Sequence, residues 1–284
     1  MPNRLAKLSN GTVVDLGKSV LLFEDDFLGT SLSYATDIGG GTWRTRGYEG
    51  YQVTVTKGYS DYAGSSWNVS PIEHPNNSPF SVSNSILTIT CRRNPGLTGI
   101  SNQWLSGYLV SNHITNLTWK YGYFEWRMRL PNPVRGMFPA LWLYNGEPTR
   151  ADGQQAAEID VFETFGISDG MTWENGWHLS PTPGTNSASI QQRYDITDWH
   201  TYGVEWLPWG ITFYRDGVAI RTAAPEASPW FETGPKMSIR MDYSMDPSWL
   251  TAGDPRLSTS ADPAVGVEPR MEIDYVRVWT SKPT

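Results

Sequence analysis

The sequence lacks several features that define common protein classes. It has one cysteine, Cys91, in 284 residues, which excludes an internal disulfide framework and a metal site built from several cysteines. No run of about 18 apolar residues occurs, so we expect no membrane-spanning segment. Basic residues are a minority, with 22 Lys and Arg against 29 Asp and Glu, whereas proteins that bind nucleic acid usually carry excess positive charge. We therefore expect neither nucleic acid nor membrane among its partners.

Aromatic residues, by contrast, are abundant. The chain contains 14 Trp, 14 Tyr and 9 Phe, and its charged fraction is only 18%, a composition that argues against intrinsic disorder. Its 27 Gly and 20 Pro indicate many turns. So much tryptophan requires either a very large core or a flat apolar ligand on which the rings can stack.

Short segments of alternating apolar and polar residues predict β-strands. The clearest begins at Gly122 and places Phe124, Trp126 and Met128 on one face. The pair Asp216-Gly217 predicts a tight hairpin turn, because glycine tolerates a positive φ. No amphipathic helix longer than about two turns is evident, so we predict an all-β sandwich or barrel. We expect irregular segments at its rim over 57–80, 144–157, 180–193 and 244–270.

No internal repeat or low-complexity linker divides the chain. We therefore expect one domain over 1–284, with 1–20 as an N-terminal extension. The extension lacks the continuous apolar stretch of a secretory signal. The compartment is left unknown: a mature extracellular protein, export without an ordinary signal peptide and a cytoplasmic protein are all compatible with it.

The most informative segment reads AEIDVFET and carries three carboxylates. On a regular strand Glu158 and Asp160 share one face, and Glu163 points to the other. That arrangement would bury an unpaired carboxylate, which is costly. One extra residue, a β-bulge at Val161-Phe162, returns Glu163 to the face of the other two acids. We therefore predict three carboxylates along one surface, with one or both bulge residues in the core.

Three neighbouring carboxylates repel one another, which raises the pKa of one or more of them. A protonated acid beside an ionised carboxylate is the working pair of a glycoside hydrolase. We predict Glu158 as the nucleophile, Glu163 as the general acid and base, and Asp160 as a hydrogen-bonding partner that tunes the nucleophile. A pair about 5–5.5 Å apart would imply retention through a covalent glycosyl-enzyme. A calcium-binding or ion-paired surface strand is the alternative.

The strand and its flanking segments together resemble glycoside hydrolase family 16, which includes laminarinases, agarases, carrageenases and exopolysaccharide depolymerases. Besides Glu-x-Asp-x-x-Glu, the resemblance is carried in chain order by FEDDF, YGYFEWRMRLP, FPALWL, WHTY, FYRDG and IDYVRVW. It implies a concanavalin-like β-jelly roll, in which two curved antiparallel sheets form a concave cleft. It also implies a retaining endo-glycosidase that hydrolyses internal β-linkages of a β-glucan, a galactan or a substituted bacterial exopolysaccharide.

Other functions are compatible with the same fold. A non-catalytic lectin would use the cleft to bind, a transglycosylase would exclude water from the intermediate, and a lyase would need a base beside a uronate. We expect the partner to be a polysaccharide and the chain to be a monomer. Catalysis by two carboxylates requires no cofactor.

Several side chains are candidates for substrate binding. Aromatic rings stack on the apolar faces of pyranose rings, so Trp142, Trp173 and Trp177 are candidates for the cleft floor and walls. For each tryptophan, core packing is the alternative. By resemblance, His178 would hydrogen-bond the acid or the substrate, or else serve as a structural histidine. His113 stands where many family members have an arginine, and we include it as a binding candidate.

Two charged residues lead to more specific hypotheses. Arg240 lies between Ile239 and Met241, which are expected to face inward, so Arg240 should face the cleft. A guanidinium there could bind a carboxylate, sulfate or pyruvyl group on the glycan, and a salt bridge with Asp242 or another acid is the alternative. Asp274 matches a position where similar proteins bind a structural Ca²⁺ through oxygen ligands. A surface ion pair is the alternative there.

Overall fold

The structure is a computed structural model of the 284-residue chain. For residues 5–7, 13–15, 59–60, 172–179 and 188–191 it describes the backbone only. The full set of residues that it describes is 5–7, 13–15, 18–34, 40–45, 59–60, 66–112, 115–145, 157–164, 172–179, 188–223, 236–246, 250, 252–255, 257 and 268–283.

The described residues are organised almost entirely as β-strands. Among them is a single 3₁₀ turn, Pro75–Asn77. The strands, in chain order, are β1 Leu5–Lys7, β2 Val13–Asp15, β3 Leu21–Asp25, β4 Trp43–Arg44, β5 Tyr59–Ser60, β6 Ser66–Asn68, β7 Phe80–Ser83, β8 Ile86–Thr90, β9 Arg92–Arg93, β10 Trp104–Ser111, β11 Gly122–Arg129, β12 Met137–Tyr144, β13 Ala157–Glu163, β14 Thr172–Leu179, β15 Ala188–Arg193, β16 His200–Leu207, β17 Gly210–Arg215, β18 Val218–Ala223, β19 Ser238–Met245 and β20 Arg270–Trp279.

Two large sheets contain most of these strands. The ten-stranded sheet has the order β15-β14-β13-β12-β19-β10-β6-β5, and β4 and β9 also pair with β10. The eight-stranded sheet has the order β18-β17-β16-β11-β20-β8-β7, with β3 beside β20. Pairing is antiparallel except between β6 and β10. The prediction of an all-β sandwich of two antiparallel sheets is confirmed, while β1 and β2 form a separate hairpin.

The inner faces of the two sheets enclose one hydrophobic core. Trp126 and Met128 of β11 are fully buried there, as their alternation predicted. Phe162 of β13 contacts Tyr202 of β16 across the sandwich, with 4.9 Å between ring centroids. Burying one large apolar side chain contributes about 1.5–3 kcal/mol, so this core stabilises both sheets together. Cys91 belongs to the same core and is a free, buried thiol.

The local predictions are largely confirmed. Asp216 and Gly217 form the two-residue turn between β17 and β18, with φ angles of 51° and 74°. The expectation of irregular chain was wrong within 57–80, which contains β5 and β6, and within 180–193, which contains β15. All three are short segments without a clear alternation of apolar and polar residues. None of the helical segments in the described ranges is long and apolar enough to cross a membrane.

Candidate active site

The acidic strand β13 contains the predicted β-bulge. Toward β12, Asp160 pairs with Trp142 and Phe162 pairs with Leu141, so one residue of β13 is left over. Toward β14, the pairing also shifts between Asp160 and Glu163. Val161 and Phe162 are 1% and 0% exposed and both belong to the core. The bulge therefore turns Glu163 to the same face as the acids before it.

The three acids lie on the outer face of the ten-stranded sheet, which we call the site face. Directly paired residues of neighbouring antiparallel strands project to the same face of a sheet. The pairings across β13, β12 and β19 therefore define three rows on this face. The rows are Glu158–Tyr144–Ser238, Asp160–Trp142–Arg240 and Glu163–Ala140–Asp242.

Electrostatics single out Glu158 among these acids. Loss of hydration on burial raises the pKa of Glu158 well above its ordinary value, and the charge of Asp160 and a hydrogen bond with it raise it further. Arg240 acts in the opposite direction, and Asp242 adds a smaller rise. Glu158 therefore holds a proton at pH values where an isolated carboxylate would have lost it.

Arg240 lies on the site face, as predicted, and is only 1% exposed. Its guanidinium carbon is 4.6 Å from the ring centroid of Tyr144, 5.1 Å from that of Trp142 and 5.8 Å from that of Tyr108. It also donates a hydrogen bond to the Tyr108 hydroxyl. The three rings cover the guanidinium. A role for Arg240 in binding substrate stays a prediction.

Trp142 occupies the centre of the site face, between Asp160 and Arg240. Its indole Nε1 donates a hydrogen bond to Asp242 Oδ1 at 2.7 Å. Neighbouring Tyr108 and Tyr144 rings leave it 8% exposed. These contacts fix the orientation of the indole as part of the floor of the site face.

Other predicted binding residues have less structural description. The backbone of β14 places His178 across from Glu158 and Trp177 across from Ile159, and Trp173 precedes the residue paired with Glu163. The side chains of these three β14 residues lie outside what the structure describes. His113 also lies outside the described residues. Their binding roles stay predictions.

Tyr108 and Tyr144 were not among the predicted site residues, although both rings flank Arg240. Tyr144 lies two residues after Trp142 on β12, so strand periodicity alone places the two on one face. Tyr108 could not be found in this way, because its strand is buried along its whole length.

The predicted calcium ligand Asp274 is in an ion pair. Its Oδ2 accepts a hydrogen bond from Arg127 Nη1 at 2.6 Å, which is the alternative considered for this residue. A guanidinium in contact with the carboxylate fits poorly with a bound cation. In the part of the chain that the structure describes, no group of three or more His, Cys, Asp and Glu could hold a metal ion.

Comparisons with known proteins agree with this architecture. The family model described as "Glycosyl hydrolases family 16" matches residues 68–277. The chain is 32% identical over 219 residues to the Endo-1,3-1,4-beta-glycanase ExsH of Rhizobium meliloti (strain 1021), covering 74% of this chain and 44% of that protein. It is 29% identical over 177 residues to the Beta-glucanase of Rhodothermus marinus, covering 57% of this chain and 58% of that protein. The chain thus spans about half the length of these two relatives.

A solved structure shows the same fold. It is the catalytic domain of an endo-1,3-beta-glucanase (laminarinase) from Thermotoga petrophila RKU-1, which is similar to this chain with a TM-score of 0.68. The match covers 94% of this chain and 99% of that one at 18% identity. At that identity the likeness concerns the fold alone.

Proposed function

Because this chain belongs to the glycosyl hydrolases of family 16, we propose that it hydrolyses internal bonds of a β-linked glucan with retention of configuration. The observation that carries the proposal is the bulge of β13, which turns Glu163 to the face of Glu158 and Asp160. Two carboxylates on one face can act as nucleophile and as acid and base. The name of the second relative, a beta-glucanase, favours a glucan.

In the first step, Glu158 attacks the anomeric carbon while Glu163 donates a proton to the glycosidic oxygen. The bond from the anomeric carbon to that oxygen breaks, and the leaving sugar departs as an alcohol. Glu158 must be ionised to attack, so the proton that it holds at rest has to leave its attacking oxygen. Asp160 is hydrogen-bonded to Glu158 and can accept that proton.

In the second step, the Glu163 carboxylate takes a proton from water, and the resulting oxygen attacks the anomeric carbon. The ester bond to Glu158 then breaks, which regenerates its carboxylate and releases a sugar of retained configuration. Trp142 is oriented by its hydrogen bond to Asp242 and supplies an apolar surface beside the acids. No cofactor takes part in this scheme.

Digestion of a glycan panel tests the proposal. The panel contains a β-1,3-glucan, a mixed-linkage β-1,3-1,4-glucan, agarose, a carrageenan and an acidic bacterial exopolysaccharide, with products followed by mass spectrometry. We expect oligosaccharides from a glucan, and early proton NMR spectra in which the β-anomer of the new reducing end appears first. Appearance of the α-anomer first would contradict retention.

The same panel separates the alternatives. The matched variant Glu158→Gln should still bind the cleaved glycan in affinity electrophoresis but release no reducing ends. Wild-type protein that binds a glycan without cutting it would support the lectin. Products longer than the substrate would support the transglycosylase, and ultraviolet absorbance of unsaturated uronates would support the lyase. Cleavage of the galactans or the acidic polymer alone would overturn the choice of a glucan.

A further inference from the structure

The site face combines acids from two strands with a buried cation. Glu158, Asp160 and Glu163 come from β13 and Asp242 from β19, and Arg240 lies two residues before Asp242 on the same face. In the row across the sheet only Trp142 separates Arg240 from Asp160. A guanidinium remains charged at any pH that a protein tolerates. Arg240 therefore contributes a permanent positive charge beside several carboxylates.

The surroundings of Arg240 hold this charge in one place. The rings of Tyr108, Trp142 and Tyr144 pack around the guanidinium, and the Tyr108 hydroxyl accepts a hydrogen bond from it. Tyr144 pairs directly with Glu158, so one ring adjoins both the cation and that acid. Charges interact more strongly where water is excluded, and Arg240 is 1% exposed.

We propose that Arg240 is a positioning residue that holds the carboxylate of Glu158 in place and favours its ionised form when substrate binds. This inference rests on the proposed function, because an ionised Glu158 is required only if it is the nucleophile. Because three rings cover Arg240, we do not expect it to bind an acidic substituent on the glycan directly. Its effect on cleavage of the glycan is exerted through Glu158.

The groups around Glu158 act in both directions. Asp160 on its own strand and Asp242 on β19 favour the protonated form, while Arg240 opposes them. Tyr144 adjoins it from β12, and His178 is its backbone partner on β14. Removing Arg240 therefore removes a cation that lowers the pKa of Glu158 and leaves the carboxylates that raise it.

Carbon NMR of side-chain carboxyls tests the inference without depending on activity. Protein labelled with ¹³C at Glu and Asp carboxyls is titrated, and the Glu158 signal is assigned by its loss in Glu158→Gln. We expect Arg240→Gln to move the Glu158 midpoint upward by about one to three pH units. Arg240→Lys should restore most of that change, and Asp160→Asn should move the midpoint downward.

Two further variants protect the test against misfolding and general charge effects. Tyr108→Phe removes only the hydroxyl that binds Arg240, so it should give a smaller upward change in a folded protein. Arg270→Gln removes an arginine from the other sheet and should leave the Glu158 midpoint unchanged. An unchanged midpoint in folded Arg240→Gln, or in folded Tyr108→Phe if Arg240→Gln does not fold, would overturn the inference.

The pH dependence of kcat/KM gives the functional result. In Arg240→Gln the acidic limb should move to higher pH with the NMR midpoint, while the basic limb remains. A rise in KM confined to acidic glycans, with an unmoved acidic limb, would instead assign Arg240 to substrate binding. If wild-type protein cuts no glycan, the proposed function fails, and the NMR titration still decides whether Arg240 controls Glu158.

Discussion

The outer faces of the two sheets both carry acidic side chains, but they hold them in different ways. On the site face, Glu158, Asp160, Glu163 and Asp242 are placed in adjoining rows beside a single arginine of β19, Arg240. Burial and the neighbouring negative charges raise the pKa of Glu158 well above its ordinary value. The net charge of this face therefore depends on which of its carboxylates are protonated.

On the outer face of the eight-stranded sheet, Glu272 and Asp274 have arginine partners of their own. Glu272 accepts hydrogen bonds from Arg129 at 2.8 Å and from Arg270 at 2.8 Å, and Asp274 pairs with Arg127 at 2.6 Å. Loss of hydration alone would raise the pKa of Glu272, but the hydrogen bonds and charges of the two arginines outweigh it and lower the pKa. Glu272 therefore stays ionised and stabilises the scaffold.

The difference shows how one fold separates chemistry from structure. Strand alternation supplies outward-facing acids on both sheets, and their partners decide what those acids do. Matched arginines keep an acid in one protonation state, whereas crowded acids can exchange a proton, which catalysis requires. Substitutions that neutralise acids on the two faces should therefore have opposite consequences.

The largest difference should appear in activity. Glu158→Gln or Glu163→Gln should lower kcat/KM on the cleaved glycan by about 10⁴-fold, because each removes a group that changes bonding in the transition state. The change at Glu272→Gln should stay within about threefold, since that side chain lies on the opposite sheet. Initial rates of reducing-end release measure all three. A large loss of kcat/KM in folded Glu272→Gln would contradict the contrast between the two faces.

Stability should respond with opposite signs on the two faces. Between the ordinary and the raised pKa of Glu158, the folded state binds more protons than the unfolded state, so stability falls as pH rises through that range. Glu158→Gln removes this loss, and each pKa unit corresponds to about 1.4 kcal/mol. We expect the variant to be the more stable protein at neutral pH, with the difference vanishing below pH about 4.

Glu272 supplies the contrasting curve. Its lowered pKa means that its stabilisation is present above the ordinary carboxylate value and is lost as pH falls through the folded value. Glu272→Gln should therefore lower the unfolding free energy at neutral pH by about 1 kcal/mol, since its arginines are about one-third exposed. Urea titrations across pH measure both curves. Equal signs for the two variants would contradict the assignment of the faces.

The smallest effect should occur at Asp274. The side chains of Asp274 and Arg127 are 30% and 36% exposed, so solvent screens their pairing. Asp274→Asn should lower the unfolding free energy by less than about 1 kcal/mol. The melting temperature of the wild type should not respond to Ca²⁺ or to a chelator. A rise with Ca²⁺ that disappears in Asp274→Asn would instead support the prediction of a calcium site.

The sequence predicted those parts of the fold in which a strand has one apolar and one polar face. β11 is the clearest case, because Trp126 and Met128 alternate with charged residues that reach solvent. β15 was missed because ASIQQR at the sheet edge has no such contrast. The bulge was predictable for a different reason: a regular strand would have buried Glu163 in the core, at a free-energy cost.

The candidate site was only partly predictable. Alternation placed Arg240 on the right face, but it carries no information about depth, and the residue lies almost fully buried. The rings that cover it come from β10 and β12, which are distant in sequence from β19. Tyr108 and Arg240 meet only because those strands are neighbours in one sheet. The surroundings of a buried charge depend on strand order, which local patterns do not specify.

The bulge in β13 also changes which alternate residues face the core. Before it, odd-numbered residues such as Ala157 and Ile159 face the core; after it, even-numbered Phe162 and Thr164 are buried. In a strand of this kind, the number of residues before a position decides whether its side chain faces the core or the outer face. Substitutions within it alter one side chain, whereas one residue lost or gained before Glu163 would exchange inside and outside for everything beyond it. Apart from its acids, we expect this strand to tolerate a substitution better than a change in its length.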